Sequence, residues 1–307
     1  MDIVFFGSPD FAVPSLRALV GEGFNVRAVV TQPDRPTGRS RSTSAATPVK
    51  AAATAEGLDV LQPEKPTDAA FLQRLRDLAP DVGVVVGYGH ILRSELLSLP
   101  RRGMVNVHPS LLPALRGAAP IEWTILQGIE RTGVTIMQLD EGLDSGPILH
   151  QLPHHVAAGT TAGELRAHLA EMGAQALIEA LALWEQDSLK PVPQDAAHAT
   201  YAPKLTREIA HIDWTKPADI VARQTLALDP KPGAWTTHET REVKLFGGCA
   251  LPGRGTPGAV TEAGERLVVA AVDGLVEIAE VQPAGKERMP AGDWVRGRGT
   301  AVGRRFT

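Results

Sequence analysis

The sequence predicts an α/β protein: a Rossmann-like, mostly parallel sheet domain followed by a small OB-like β-barrel domain. Three observations carry this. Short Val- and Ile-rich runs alternate with helical stretches through the first 150 residues, the pattern of a parallel sheet covered on both faces. A stretch with linker composition follows, holding Pro191, Pro193 and Pro203 among polar spacers. Beyond it, short apolar runs punctuated by Gly and Pro have the spacing of a small barrel or sandwich. The expected division is 1–189 for the α/β domain, 190–208 for the linker and 209–307 for the barrel.

Taken in order, Ile3–Phe6 and Val26–Thr31 read as strands, and Phe11–Gly21 between them as a helix closed by Gly21 and Gly23. Pro48–Glu56 is Ala-rich and helical, with Gly57 as its stop. Leu58–Leu61, Val82–Val86 and Met104–His108 are further strands, separated by helical patterns over Thr67–Leu78 and Ser94–Leu99. Thr132–Leu139 and Ile148–Pro153 add strands, and Thr161–Gln186 is a long helix rich in Ala and Leu. After the linker, Pro217–Leu228 is helical, and Val243–Phe246, Gly258–Thr261, Leu267–Ala271 and Val276–Val281 are short strands.

Composition excludes several classes. With 43% apolar and 21% charged residues, the 307-residue chain has the make-up of a soluble globular protein. A formal net charge of −4 gives no global basic field. One cysteine, Cys249, rules out an internal disulfide framework or multi-cysteine zinc site. The amino terminus lacks the basic flank of a signal peptide and reads at once as a strand. The longest apolar run, Val82 to Leu92, is far short of the roughly 20 residues needed to cross a bilayer. A cytoplasmic protein with no membrane partner is expected, and a monomer. Two stretches lean basic: Arg35, Arg39, Arg41 and Lys50, and then Arg296, Arg298, Arg304 and Arg305. Either also reads as a solvated loop or tail.

The first strand runs into Gly7-Ser8-Pro9-Asp10-Phe11, which is not the Gly-rich dinucleotide fingerprint, and neither a phosphate loop nor a nucleophile elbow occurs. The informative segment is Asn106-Val107-His108-Pro109. Residues two apart on a strand share a face, so Asn106 and His108 project together, and Pro109 ends the strand there. That places an amide donor and an imidazole at the carboxyl end of a parallel strand, where open α/β sheets bind ligands. One can donate to an oxyanion and the other can move protons; equally, loop backbone could satisfy both. The acidic turn Asp140-Glu141-Gly142-Leu143-Asp144-Ser145-Gly146 also follows a strand, so a carboxylate there is expected to meet them across the crevice and favour imidazolium. Asx-turn duty is the alternative, and physics alone does not separate Asp140 from Asp144. His150, His154 and His155 lack a neighbouring Cys or acid, and no metal site is expected. Cys249 has no evident activation.

These residues carry a resemblance. The chain resembles the methionyl-tRNA formyltransferase family from Phe6-Gly7-Ser8-Pro9-Asp10-Phe11-Ala12, through Gln32–Pro36 and Asn106–Pro120, to Gly133–Met137 and Gly142–Gly146. It extends to Ile212-Asp213-Trp214 and Gln282–Lys286. The Asn-x-His with a distant Asp belongs to folate-dependent formyltransferases generally, and the other blocks narrow it to the tRNA enzymes. The resemblance implies formyl transfer from 10-formyltetrahydrofolate, as co-substrate and without a metal, to methionyl initiator tRNA. It implies Asn106 as oxyanion donor, His108 as acid/base and Asp144 as the carboxylate that organises His108 and a water. Ser110, Leu111, Leu112 and Pro113 match a folate-contacting stretch, and Tyr88, Gly89, His90, Ile91 and Leu92 a neighbouring pterin wall. His90 stands where an apolar residue is commoner in the family. Arg35, Arg39, Arg41 and Arg116 are the expected tRNA contacts, and the basic insert here has arginines but no lysine.

Acyl transfer of this kind needs no covalent intermediate when donor and amine are aligned, which agrees with a site lacking an activated Ser or Cys. The rival readings are a formyltransferase acting on a nucleotide-linked amino sugar or other small amine, and a catalytically dead RNA-binding scaffold. A glycinamide-type enzyme would normally end near Lys190, so the 209–307 domain argues against it. The intact Asn106, His108 and Asp144 argue against the scaffold.

Overall fold

The computed structural model describes residues 1–37 and 43–307. In chain order the first elements are β1 (Asp2–Gly7), α1 (Val13–Gly21), β2 (Asn25–Val30), β3 (Arg35–Thr37), β4 (Thr43–Ala45), α2 (Pro48–Ala55), β5 (Val60–Leu61) and α3 (Ala69–Leu78). Then come β6 (Val82–Val86), α4 (Ser94–Leu97), β7 (Met104–His108), β8 (Arg116–Gly117), α5 (Pro120–Leu126), β9 (Arg131–Gln138), β10 (Ile148–His155) and α6 (Ala162–Glu185). The remainder is β11 (Tyr201–Ala202), α7 (Ala218–Ala227), β12 (Ala234–His238), β13 (Arg241–Phe246), β14 (Cys249–Leu251), β15 (Val260–Ala263), β16 (Leu267–Ala270), β17 (Leu275–Ile278), β18 (Glu280–Pro283), β19 (Met289–Pro290) and α8 (Ala291–Arg296).

The chain divides into two units. The first holds Met1–Gly117, Thr132–His154 and Arg166–Tyr201, and the second Ala118–Arg131, His155–Leu165 and Ala202–Thr307. The second therefore draws two segments from within the first 165 residues.

In the first unit seven strands form one sheet in the order β10-β9-β7-β6-β1-β2-β5. The five from β5 to β7 run parallel. The central runs are buried on both faces, as strands sandwiched between helices must be: Val82–Val86 is buried throughout, while the edge strand Val60–Leu61 is half-buried. On β7, Val107 points to the layer of α6. Gly173 lets that helix come close, since a Cβ there would sit 2.8 Å from Val107 Cγ1. Asn106 and His108 face the other way, as the alternation requires.

One expectation needs correcting. β9 is antiparallel to β7, with Asn106 opposite Met137 and His108 opposite Thr135. The carboxyl end of β9 therefore lies beside the start of β7, not beside the catalytic strand end. The loop after β9 reaches His108 only by doubling back, as described below.

The second unit builds two four-stranded antiparallel sheets, β12-β13-β18-β19 and β14-β17-β16-β15, around one core with Ile212, Trp214 and α7. The single run expected over Val276–Val281 is divided at Ala279 between the two sheets. Helix α5, whose start is marked only by Pro120, packs against α7. The basic end of the chain is not a frayed tail. Phe306 is 1% exposed, and its ring packs among Trp214, His238 and Trp294. Phe306 bridges to His238 of β12, and Arg305 to Ala259.

Candidate active site

β7 ends where Pro109 forbids continuation, and its last two inward positions deliver Asn106 and His108. The Asn106 carboxamide is half-buried and makes no hydrogen bond to another described residue. His108 is 3% exposed. Its Nε2 lies 3.0 Å from the carbonyl oxygen of Leu115. That oxygen only accepts, so Nε2 carries the proton and Nδ1 is the basic pole. Nδ1 lies 3.7 Å from Asp144 Oδ2.

Burial lowers the pKa of His108 below that of a free imidazole; the Asp144 charge and the Leu115 carbonyl oppose this without reversing it. Asp144 thus favours imidazolium, as expected, while desolvation of the ring is the larger effect and works against it. A buried neutral imidazole with its basic nitrogen free is a proton acceptor.

The structure separates the two aspartates. Asp140 is exposed, and its carboxylate accepts from Gly142 N and Ser145 Oγ, closing its own turn. Asp144 is the one folded back, accepting from Gly117 N through Oδ2 at 2.8 Å. Gly146 allows the return. A Cβ on it would meet the backbone oxygen of Gln138 at 1.9 Å, and backbone cannot yield. Gly146→Ala should therefore displace Asp144: kcat is expected to fall by about tenfold while Tm drops by roughly 4 °C, the scale of a small local clash. Wild-type kcat in that variant would show the close approach to be irrelevant.

The Ser110–Pro113 stretch is pinned from β9 and β10. Thr135 Oγ1 donates to Ser110 O at 2.7 Å and accepts from Leu112 N at 3.1 Å, and Gln151 Nε2 donates to Leu112 O at 3.0 Å. Leu112 is buried, while Leu111 and Pro113 are half-buried. Tyr88–Leu92 follows β6, next to the end of β7. Tyr88 is the exception in this segment. Its ring is buried in the core against Phe6, and burial pushes its phenol pKa up to about 12. Gly89 and His90 are exposed, Leu92 is half-buried, and Ile91 is 88% exposed.

Of the expected tRNA contacts, Arg35 is exposed with its guanidinium on Gln32 Oε1. Arg39 and Arg41 lie outside the described residues. The arms flanking them, β3 and β4, pair as an antiparallel ladder. Lys50 is neutralised by Asp34 at 2.6 Å. Arg116 is placed differently from expectation: it is 6% exposed, with Nε and Nη2 both donating to Gln194 Oε1 at 3.1 and 2.7 Å. Gln194, Thr135 and Gln151 were not singled out from the sequence; Gln194 in particular stands in a Pro-rich polar run with no periodicity to mark it.

His150 pairs with Glu179 at 2.7 Å, and His154 packs on His168 with ring centroids 4.3 Å apart. Among the described residues no group of three or more His, Cys, Asp or Glu side chains could hold a metal ion. No helix among them is long and apolar enough to cross a membrane.

Comparison with known proteins gives this geometry its context. A formyl transferase family model matches residues 1–181, and a formyl transferase C-terminal domain model matches 204–299. The methionyl-tRNA formyltransferase of Magnetococcus marinus is 44% identical over 99% of this chain and 97% of its own. The chain belongs to the methionyl-tRNA formyltransferase family. The relative from Roseiflexus castenholzii, with the same name, is 46% identical over 96% of this chain and 95% of its own. Among solved structures, HypX from Aquifex aeolicus in complex with tetrahydrofolic acid has a TM-score of 0.66 at 19% identity, over 98% of this chain and 48% of that one. That likeness is one of fold.

Proposed function

We infer that the protein transfers the formyl group of 10-formyltetrahydrofolate to the α-amino group of methionyl initiator tRNA. The observation that carries the chemistry is the Asn106 carboxamide, unpartnered among the described residues, beside a buried imidazole whose basic Nδ1 faces Asp144. The choice of tRNA as acceptor rests on relatives of that name matching nearly the whole chain at 42–46% identity.

The folate supplies an activated formyl group. The residues present fit such a co-substrate: Ile91 and the Gly89–His90 backbone offer an exposed apolar wall, and the anchored Ser110–Pro113 backbone a polar edge. Asn106 donates to the formyl oxygen as negative charge builds there. His108 takes the proton from the attacking amine at Nδ1, where the Asp144 carboxylate stabilises the resulting imidazolium, and returns it to the folate nitrogen as the bond between that nitrogen and the formyl carbon breaks. Asp144 also holds a water in the site. No covalent bond to the protein is required, so positioning and oxyanion stabilisation carry the rate.

For the acceptor, Arg35, Arg39 and Arg41 grip the tRNA near its charged end. β2 and β7 run in the same direction in one sheet, so the loop after β2 leaves at the same edge as the catalytic strand end. The 1–189 part carries the chemistry. An OB-like part over 209–307 assists tRNA binding. The protein works in the cytoplasm as a monomer and needs no metal.

The direct test is a formylation assay comparing charged initiator tRNA, charged elongator tRNA and small amines; transfer to the small amines alone would overturn the reading. The loop is tested by replacing Arg39 and Arg41 together with Ala. Charged-tRNA binding should weaken and the slope of log K against log[salt] flatten by about one to two units, with folate affinity unchanged. A retained salt slope with lost folate binding would make the loop a folate lid instead. Deleting 209–307 is the poorer test, because it strips α5 of α7, its partner within the second unit.

A further inference from the structure

We propose that Gln194 and Arg116 are positioning residues for Asp144, with Arg116 orienting the Gln194 carboxamide and Gln194 setting the loop that aims the Asp144 carboxylate at His108. The proposal rests on the catalytic reading above only for its kinetic consequence.

Asp144 has φ +50°, a left-handed conformation uncommon outside glycine, which Asp enters more readily than most residues when hydrogen bonds determine the turn. Gln194 supplies that determination. Its Nε2 donates to the carbonyl oxygens of Asp144 at 2.9 Å and Gly146 at 2.8 Å, one hydrogen for each side of the turn. An amide can be turned end for end at little cost, and here the turn is forbidden. Arg116 directs Nε and Nη2 at the Gln194 oxygen, so the NH₂ group must face the Asp144 loop.

Arg116 is a costly residue for this duty. It is 6% exposed, and no carboxylate lies within ion-pair distance of it among the described residues. Burying a guanidinium against a neutral amide is not how a fold gains stability. What the arrangement achieves is geometric. Three consecutive residues grip both members of the catalytic pair: Leu115 O holds His108 Nε2 at 3.0 Å, Gly117 N holds Asp144 Oδ2 at 2.8 Å, and the Arg116 side chain between them holds Gln194. The backbone of this triplet is fixed in turn by Thr200, whose Oγ1 and O accept from Leu115 N and Arg116 N at 2.8 and 2.9 Å.

The decisive variant is Gln194→Glu. A carboxylate keeps an acceptor for Arg116 and gains an ion pair, so a merely structural partner of Arg116 is preserved or improved. It has no hydrogens for Asp144 O and Gly146 O, so positioning is lost. The full-length variant is expected to lose about tenfold or more in kcat with KM for folate and charged tRNA within about twofold. Hydrogen exchange of the Gly117 amide, which donates to Asp144, should speed up by about tenfold while that of Val84 in the sheet is unchanged. Wild-type kcat and Gly117 protection in Gln194→Glu would overturn the proposal. So would an unchanged kcat with a raised KM for charged tRNA, which would make Arg116 an RNA contact. If the wild-type protein formylates no charged tRNA, the functional reading falls, and Gly117 exchange decides the positioning proposal by itself.

Discussion

Asn106→Ala should lower kcat by about 10²–10³, roughly 2.7–4 kcal/mol of transition-state stabilisation, the loss measured for a single oxyanion donor. The carboxamide is half-buried and free of internal partners, so its removal breaks no described hydrogen bond in the resting protein. Folding and folate affinity should therefore stay close to wild type, and the loss should fall on kcat alone. Asn106→Asp is the sharper control. It keeps the size, replaces the donor with an anion that repels the developing oxyanion, and should be at least as inactive as the alanine variant. A kcat within a few-fold of wild type in Asn106→Ala would remove Asn106 from this role.

His108→Ala, Asp144→Ala and the double variant should show similar and non-additive losses, each of about 10²–10⁴ in kcat, because the two side chains act on one proton. Additive losses would show that they act separately. The pH dependence follows from the same pair. Burial, the larger effect, holds the pKa of His108 below its free value, and Asp144 pulls it partly back. The base is active when neutral, so kcat/KM should fall as pH drops through that lowered pKa. Removing Asp144 should move this acidic limb to still lower pH. A limb that stays in place would place the titrating base elsewhere. Stability follows the sign for a depressed group: the contribution of neutral His108 is complete above the unfolded pKa of about 6.5 and is lost as pH falls through the folded value, because the unfolded chain takes the proton first.

Local chemistry made much of this protein legible. Val82–Val86 and Met104–His108 coincide with their strands because a continuous Val run and a terminating Pro leave few alternatives. Asn106 and His108 share a face because strand period dictates it, whatever the rest of the chain does. The family blocks at Asn106–Pro120 and Gly142–Gly146 narrowed the chemistry further.

Tertiary structure decided the rest. The direction of β9 cannot be read from Thr132–Leu139, since an apolar strand looks the same either way round. Only its antiparallel pairing shows that the acidic loop must double back, and the contacts with Gly117 N and His108 show how Asp144, the carboxylate the resemblance pointed to, is brought there while Asp140 stays in its own turn. The net direction of the His108 pKa depends on the fold for a related reason: a carboxylate nearby is visible in sequence, while the burial that outweighs it is a property of the packed chain. Arg116 looked like a cation for RNA because sequence records charge and not exposure. Its partner Gln194 lies 78 residues away in a run without periodicity, where only the folded chain brings the two together. Local propensity and strand alternation act over a few residues and survive in the sequence; relative strand direction, burial and side-chain partnership are set by long-range packing and do not.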